Sequence, residues 1–137
     1  MAIARPRILY LDASAIVKLV VRESESAALR AHLAGAELVT SEISLTEVPR
    51  AAHVKTGRTE AVALAEAILR RFDLVVLDDD LHRAAARAAP RELRTLDALH
   101  LVAAERLRGR LSAVIAYDRR LTEACQRAGL TVESPRP

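Results

Sequence analysis

Five short apolar runs alternate with longer stretches of helical periodicity along this chain of 137 residues. The predicted strands occupy residues 7–11, 37–40, 74–77, 113–117 and 130–133. Short strands that alternate with helices are typical of βαβ units, in which the strands form a parallel sheet and the helices cover its faces. Because the length suits one domain with its own core, we expect a single α/β domain over residues 1–137.

Helix boundaries follow from capping residues and glycines. Ser24 is placed to cap one helix and Thr95 another, because a hydroxyl can accept a hydrogen bond from a free backbone N–H of the first turn. Gly35, Gly109 and Gly129 mark helix ends. The predicted helices occupy residues 24–34, 59–72, 81–89, 97–107 and 118–128, with a further helix around residue 47.

Two of these helices carry apolar side chains at helical spacing, which predicts an inward face. In the helix that Thr59 opens, the predicted inward side chains are Val62, Leu64, Ala65, Ile68 and Leu69. In the helix over residues 97–107 they are Leu96, Leu99, Leu101, Val102 and Leu107.

Four acidic residues stand where apolar runs end or on predicted helices, namely Asp12, Glu47, Asp97 and Asp118. A carboxylate in a poorly hydrated place must be paired, hydrogen-bonded or bound to a cation, since an unpaired buried charge is costly. We see no matching buried base. The functional crevice of an open α/β sheet lies beyond the carboxyl ends of its strands, so Asp12 and Asp118 can both point into it. The four acids therefore predict a divalent metal site.

Such a site suits the hydrolysis of a phosphodiester. Magnesium prefers hard oxygen ligands and keeps several waters, so a few carboxylates from different elements suffice. A divalent ion makes water more acidic and offsets the charge that develops on phosphate. No Ser-His-Asp set, Cys-His pair or glycine-rich phosphate loop competes with this interpretation, and the whole chain has only four glycines.

Simpler roles compete for each of these residues. Asp97 and Asp118 lie near helix starts, where capping and the helix dipole favour an acid without any catalysis. Ser14, two residues after Asp12, either hydrogen-bonds a metal ligand or caps the following helix. His100 lies three residues after Asp97 on the same helical side, and we expect a packed histidine there and not a ligand.

Other acidic positions are predicted to lie outside the site. The run of three aspartates at residues 78–80 directly precedes a helix, so capping and first-turn dipole effects account for it. Glu42 is predicted to be a solvated acid of a first helical turn. Cys125 is predicted to be a small core residue.

The composition limits which cellular compartment and which partners we expect for this protein. Cys125 is the only cysteine, so no internal disulfide can form, and no run reaches the ~20 apolar residues of a membrane span. We therefore expect a cytoplasmic protein. The net charge is +3, with a pI near 9.6, and comes from arginine, which suits phosphate partners but also follows from an arginine-rich genomic composition. Aromatic residues make up 2%, which disfavours base-stacking binders of single strands.

Four segments in this order resemble the PIN-domain ribonucleases and, within them, the VapC-like toxins of type II toxin–antitoxin pairs. The segments are residues 11–19 (LDASAIVKL), Glu47 with Arg50 and Ala51, residues 93–101 (LRTLDALHL), and residues 117–121 (YDRRL). Each segment is weak evidence alone, but the four in this order are strong evidence together, and the resemblance covers nearly the whole chain. The resemblance implies a PIN-like three-layer sandwich with a mostly parallel five-stranded sheet flanked by helices.

The resemblance also implies an activity, that of an Mg²⁺- or Mn²⁺-dependent endoribonuclease. The catalytic acids would be Asp12, Glu47, Asp97 and Asp118, with Asp12, Asp97 and Asp118 as metal ligands and the hydroxyls of Ser14 and Thr95 supporting them. The family often has Ser or Thr two residues before its last aspartate. This chain has alanine at that place, position 116, and so lacks that hydroxyl.

The implied partners are an RNA substrate, a cognate antitoxin protein and a second copy of the chain in a homodimer. Helices rich in small apolar residues, at 13–21 and 61–69, are the predicted groove for the antitoxin. The alternative is that these faces pack only on the domain's own sheet or on a second copy.

Two other classes of protein fit part of this pattern. A phosphoacceptor signalling domain also uses an acid cluster and magnesium on a five-stranded α/β fold, but it needs a lysine beyond its last strands. No lysine follows Lys55 in this chain. A non-catalytic PIN-like binding module would keep the partner surface without the chemistry, and the presence of all four acids argues against it.

Overall fold

The computed structural model describes residues 5–137, so the first four residues of the predicted domain lie outside the described range. Its strands are β1 (Ile8–Leu11), β2 (Glu37–Ser41), β3 (Asp73–Val75), β4 (Ala113–Ile115) and β5 (Val132–Glu133). They form one sheet in the order β3-β2-β1-β4-β5, and every neighbouring pair is parallel. The predicted strands and the five-stranded α/β sheet are confirmed, with ends shifted by one or two residues.

Seven helices connect and cover the strands within residues 5–137. They are α1 (Ala13–Val20), α2 (Ser26–Leu33), α3 (Ser44–Thr56), α4 (Thr59–Leu69), α5 (Asp79–Ala86), α6 (Thr95–Glu105) and α7 (Arg119–Arg127). Helices α1 to α4 contribute to one apolar cluster and α5 to α7 to a second, so the sheet is the middle layer of three. No helix of this described part is long and apolar enough to cross a membrane.

The central strand shows how the alternation of side chains divides the core. Leu9 and Leu11 belong to the cluster on the α1–α4 side, whereas Tyr10 belongs to the cluster on the α5–α7 side. All three are fully buried. Successive side chains of a strand point to opposite faces, so a buried central strand is apolar on both. Tyr10 thereby carries a phenol group into the layer that contains α6.

Three aspartates begin helices in the same way. Asp12, Asp78 and Asp118 are the N-caps of α1, α5 and α7, and each side chain accepts a hydrogen bond from the backbone N–H three residues later. The distances lie between 2.8 and 3.0 Å. The capping role predicted for Asp118 and for the run at 78–80 is therefore confirmed, and Asp12 shares it.

The two hydroxyl caps predicted from the sequence are wrong. Ser24 lies two residues before α2, and its hydroxyl donates to the carboxylate of the adjacent Glu25. Thr95 is the first residue of α6 itself, one position too late, because Arg94 takes the extended backbone conformation of the cap with no side-chain bond. A side chain caps a helix only from the residue whose backbone is still extended.

Two predicted core leucines are instead exposed. Leu64 on α4 and Leu96 on α6 each have a relative exposure of 45%. Helix α4 turns Ala65 and Leu69 inward, which leaves Leu64 on its outer side. Single apolar residues on a surface are common, so helical spacing alone does not settle which side faces the core.

Glu42 is also misplaced by the sequence prediction. It is half-buried in the turn between β2 and α3, before the helix begins. Its carboxylate accepts a hydrogen bond of 2.7 Å from the backbone N–H of Leu77, beyond the end of β3. Glu42 therefore ties two connections together and is not a solvated first-turn acid.

Candidate active site at the carboxyl edge of the sheet

The site lies where the order of the strands reverses. The chain leaves β1 towards β2 on one side, whereas β4 pairs with β1 on the other. Asp12 directly follows β1, and Asp118 follows β4 by three residues. The backbone N–H of Asp12 also donates to the carbonyl of Ile115 at 3.4 Å, so the two strand ends are held side by side. A crevice of this kind is where open α/β sheets bind their ligands.

An open pocket of about 390 Å³ occupies this crevice. Every site residue predicted from the sequence lines it, namely Asp12, Ser14, Glu47, Thr95, Asp97 and Asp118. The remaining lining residues are Ala13, Arg94, Leu96 and His100. Four acids from four separate segments therefore meet in one cavity, as the sequence predicted.

Asp12 is the most constrained of the acids, with a relative exposure of 4%. One carboxylate oxygen accepts from the hydroxyl of Ser14 at 2.7 Å, and the other accepts from the N–H of Ala15 at 3.0 Å. Burial raises the pKa of Asp12, although nearby His100 and these hydrogen bonds oppose that shift. Ser14 therefore hydrogen-bonds Asp12, and it is Asp12 and not Ser14 that caps the following helix.

Asp97 lies in the first turn of α6 and is half-buried. Desolvation raises the pKa of its carboxyl, and the negative charges of Asp118 and Asp12 raise it further. The carboxylates are therefore close enough to destabilise one another's ionised forms.

A second polar chain enters the pocket from the core. His100 has a relative exposure of 3%, and its Nε2 lies 2.8 Å from Oε1 of Glu47. Its Nδ1 lies 2.7 Å from the hydroxyl of Tyr10. The histidine is packed, as predicted, but the expectation of no matching buried base is wrong, because His100 is such a base. The i, i+3 spacing from Asp97 was the only signal in the sequence that pointed to it.

The alanine that replaces the family's hydroxyl lies away from the pocket. Ala116 is fully buried in the cluster on the α5–α7 side and does not line the cavity. Asp118 instead enters the pocket from the N-terminus of α7, where it also accepts from the N–H of Leu121.

The donor types of the pocket fit a hard divalent cation, which prefers carboxylate oxygens. The repulsion that raises the pKa of Asp97 is the kind of interaction that a bound cation relieves. Within residues 5–137, however, no three His, Cys, Asp or Glu side chains are arranged so that they could hold one metal ion. Capping hydrogen bonds engage Asp12 and Asp118, and His100 engages Glu47.

Comparison with known proteins agrees with this geometry. The PIN domain family model matches residues 9–126. Ribonuclease VapC46 of Mycobacterium tuberculosis is 43% identical over 134 residues, which cover 93% of this chain and 97% of that protein. Ribonuclease VapC47 of the same species is 34% identical and covers 93% and 96%.

Two solved structures share the fold. The toxin VapC20 of Mycobacterium tuberculosis, described as cleaving the sarcin-ricin loop, superimposes with a TM-score of 0.72 at 22% identity, over 94% of this chain and 99% of that one. VapBC2 from Rickettsia felis, bound to a DNA fragment from its promoter, gives 0.68 at 13% identity, over 93% and 98%. The chain belongs to the PIN-domain family and, within it, to the VapC ribonucleases.

Proposed function

We propose that this protein is a metal-dependent endoribonuclease that hydrolyses RNA phosphodiester bonds at the acidic pocket, and that it is the toxin of a type II toxin–antitoxin pair. The observation that carries the proposal is the meeting of four carboxylates from separate segments in one pocket at the strand-order reversal. The names of its VapC relatives support the same activity. We assign the whole chain, residues 1–137, to this one domain.

The four acids of the pocket would have different roles in catalysis. Because no three acidic side chains within residues 5–137 are arranged to hold one ion, Asp12, Asp97 and Asp118 would have to turn towards an Mg²⁺ or Mn²⁺ ion to bind it. Glu47 would act on the attacking water from the α3 side of the pocket. When bound, the ion makes water a better nucleophile at neutral pH and offsets the charge that builds on phosphate. The hydroxyl of Ser14 holds one oxygen of Asp12 in place, and Thr95 lies at the rim of the same pocket.

The rim also supplies positive charge for the substrate. Arg94 lines the pocket beside Thr95 and is exposed. A guanidinium can bind a phosphate through two parallel hydrogen bonds. The net charge of +3 adds a sequence-independent attraction for RNA. Arg94 would therefore hold a backbone phosphate beside the acids.

The nuclease proposal is tested by incubating purified protein with total RNA in Mg²⁺, in Mn²⁺ or in a chelator. We expect discrete new RNA ends only with metal, and sequencing of those ends identifies the cleaved site. RNA that remains intact with both metals would refute the proposed activity.

The partner proposal rests on the family and on exposed apolar residues. Val54 on α3 and Leu64 on α4 have relative exposures of 65% and 45%, whereas the apolar face of α1 is buried in the protein's own core. We propose that α4, one of the two helices predicted to form the groove, together with the neighbouring α3, receives an antitoxin, and that the toxin is a cytoplasmic homodimer. Co-expression with the neighbouring small reading frame should give a stable complex with suppressed cleavage. Full activity beside that product would refute the pairing.

A further inference from the structure

A continuous chain of hydrogen bonds connects the central strand to the pocket. The phenol of Tyr10 on β1 bonds to Nδ1 of His100 on α6, and Nε2 of His100 bonds to Glu47 on α3. The three residues belong to three different elements, and the first two are almost fully buried. Such a buried network fixes the orientation of its members, because each unsatisfied polar atom would be costly.

The hydrogen-bonding partners of His100 indicate which of its ring nitrogens carries a hydrogen. An ionised carboxylate can only accept hydrogen bonds, so Nε2 of His100 must carry the hydrogen that points to Glu47. The pKa of Tyr10 is raised well above its usual value, chiefly by burial, so the phenol keeps its proton. It can donate that proton to Nδ1, in which case the hydrogen of the imidazole lies on Nε2.

Glu47 depends on this contact for its position. Its side chain is partly exposed on α3, and His100 is its only hydrogen-bond or ion-pair partner among residues 5–137. The imidazole ring is itself held by Tyr10, with the two rings 5.9 Å apart and 67° from coplanar. A long acidic side chain with one rigid partner keeps a single orientation, and without it several rotamers are open.

We propose that His100 is a positioning residue, which aims the Glu47 carboxylate into the acidic pocket through Nε2–H while Tyr10 fixes its tautomer. This inference deepens the proposed nuclease function and rests on it. Although His100 lines the pocket, it would act through Glu47 and not directly on the metal or the RNA. A misplaced group in an active site costs on the order of 100-fold in rate, which sets the expected loss when the contact is removed.

Two substitutions separate this role from simple packing. In His100→Gln the side-chain amide reaches about as far as Nε2 and can still donate to Glu47. In His100→Asn the amide reaches only as far as Nδ1, so it keeps a contact with Tyr10 and loses Glu47. We expect kcat to fall by on the order of 100-fold in His100→Asn and to recover at least about tenfold in His100→Gln, with KM little changed in both. Equal kcat in the two variants would overturn the proposal.

A double-variant comparison tests whether His100 acts through Glu47. If it does, His100→Asn should cost no further activity once Glu47→Gln is present, because the orienting contact has nothing left to orient. Losses that multiply in the double variant would show an independent role and overturn the proposal.

A structural readout separates this inference from the activity itself. Long-range ¹⁵N–¹H NMR of the metal-free wild-type protein reports which ring nitrogens of its four histidines carry hydrogen. The His100 signals are those lost in His100→Gln. We expect a hydrogen on Nε2, and a ring protonated only on Nδ1 would overturn the proposal whether or not the protein cleaves RNA. A wild type that fails to cleave while His100 shows Nε2–H would instead count against the nuclease function.

Discussion

Asp12 and Asp78 each begin a helix by accepting a hydrogen bond from the backbone N–H three residues later. Their surroundings differ. Asp12 is buried beside Glu47 and Asp97, and burial raises its pKa. Asp78 is half-exposed, and hydrogen bonds of 2.7 Å from both terminal nitrogens of Arg106 lower its pKa to about 2. The same local structure therefore occurs with an aspartate whose ionised form is disfavoured and with one whose ionised form is stabilised.

This contrast shows that a capping role says nothing by itself about function. A cap needs one carboxylate oxygen, and the other oxygen accepts from Ser14 in Asp12 and from Arg106 in Asp78. What separates the two sites is burial together with the neighbouring charges. Asp78 is half-exposed and faces Arg106, whereas Asp12 is buried in a pocket that it shares with the other three acids.

The largest expected effect follows from removing the Asp12 charge. Asparagine caps helices as well as aspartate does, so Asp12→Asn keeps the start of α1 while it removes a proposed metal ligand. We expect RNA cleavage in Mg²⁺ to fall about 1,000-fold, which is roughly 4 kcal/mol of transition-state stabilisation. Cleavage of a defined RNA under single-turnover conditions measures it.

Asp78→Asn is the matched control, because it also keeps a cap and removes a charge. It loses the ion pair with Arg106, so the protein should melt at a lower temperature than wild type. We expect cleavage to stay within about threefold of wild type, since Asp78 does not line the pocket. Equal losses of activity in the two variants would abolish the distinction between the sites.

Asp97→Asn should have the next largest effect. We expect cleavage to fall by on the order of 100-fold, while the metal-free protein melts at the same or a higher temperature, because repulsion from Asp118 and Asp12 is relieved. Thermal melting in a chelator checks the second part. Lower stability together with intact cleavage would make Asp97 a structural acid.

Ser14→Ala should have a smaller effect. It removes the 2.7 Å hydrogen bond to Asp12 but leaves the carboxylate and its cap in place. Loss of a group that orients a metal ligand commonly costs 10- to 100-fold, and we expect about tenfold here because Asp12 keeps its second hydrogen bond. The Mg²⁺ dependence of the cleavage rate measures this, and an unchanged dependence would assign Ser14 to packing alone.

The smallest expected effect is on the pH dependence of the free energy of unfolding, and it has opposite signs at Asp12 and Asp78. The pKa of Asp12 is raised in the folded protein. Ionisation of Asp12 therefore lowers the free energy of unfolding as the pH rises from the pKa of the unfolded state, about 3.9, through the pKa of the folded state. In metal-free protein, the free energy of unfolding of Asp12→Asn relative to that of wild type should therefore increase with pH. The lowered pKa of Asp78 contributes stability above about 4 that is lost as pH falls towards 2, so the deficit of Asp78→Asn should shrink in acid. Denaturant unfolding from pH 3 to 8 checks both, and parallel curves would contradict them.

The strands and the four acids are predictable from the sequence because both follow from local rules. An apolar run followed by an acid predicts a strand end, and parallel strands bring their ends to one edge. The hydrogen bonds of His100 to Glu47 and Tyr10 are not predictable from the sequence, because these partners lie 53 and 90 residues away along the chain. No local pattern reports which distant carboxylate a buried ring will meet.

The errors at helix surfaces have a similar origin. Leu96 fits the apolar spacing of α6, yet it lines the pocket and is exposed. Thr95 is a good cap by residue type, but the backbone of Arg94 occupies the cap position. In both cases the type of residue was interpreted correctly, and a shift of one position or a rotation of the helix, set by tertiary packing, changed its role.

The most direct test of a metal site in the acidic pocket is to measure Mn²⁺ binding by electron paramagnetic resonance without RNA. The proteins compared are wild type, Asp12→Asn and Asp78→Asn. We expect wild type and Asp78→Asn to bind the ion with similar affinity, and Asp12→Asn to bind it at least about tenfold more weakly. Equal binding by all three proteins, or a loss confined to Asp78→Asn, would contradict the assignment of the metal site to the acidic pocket.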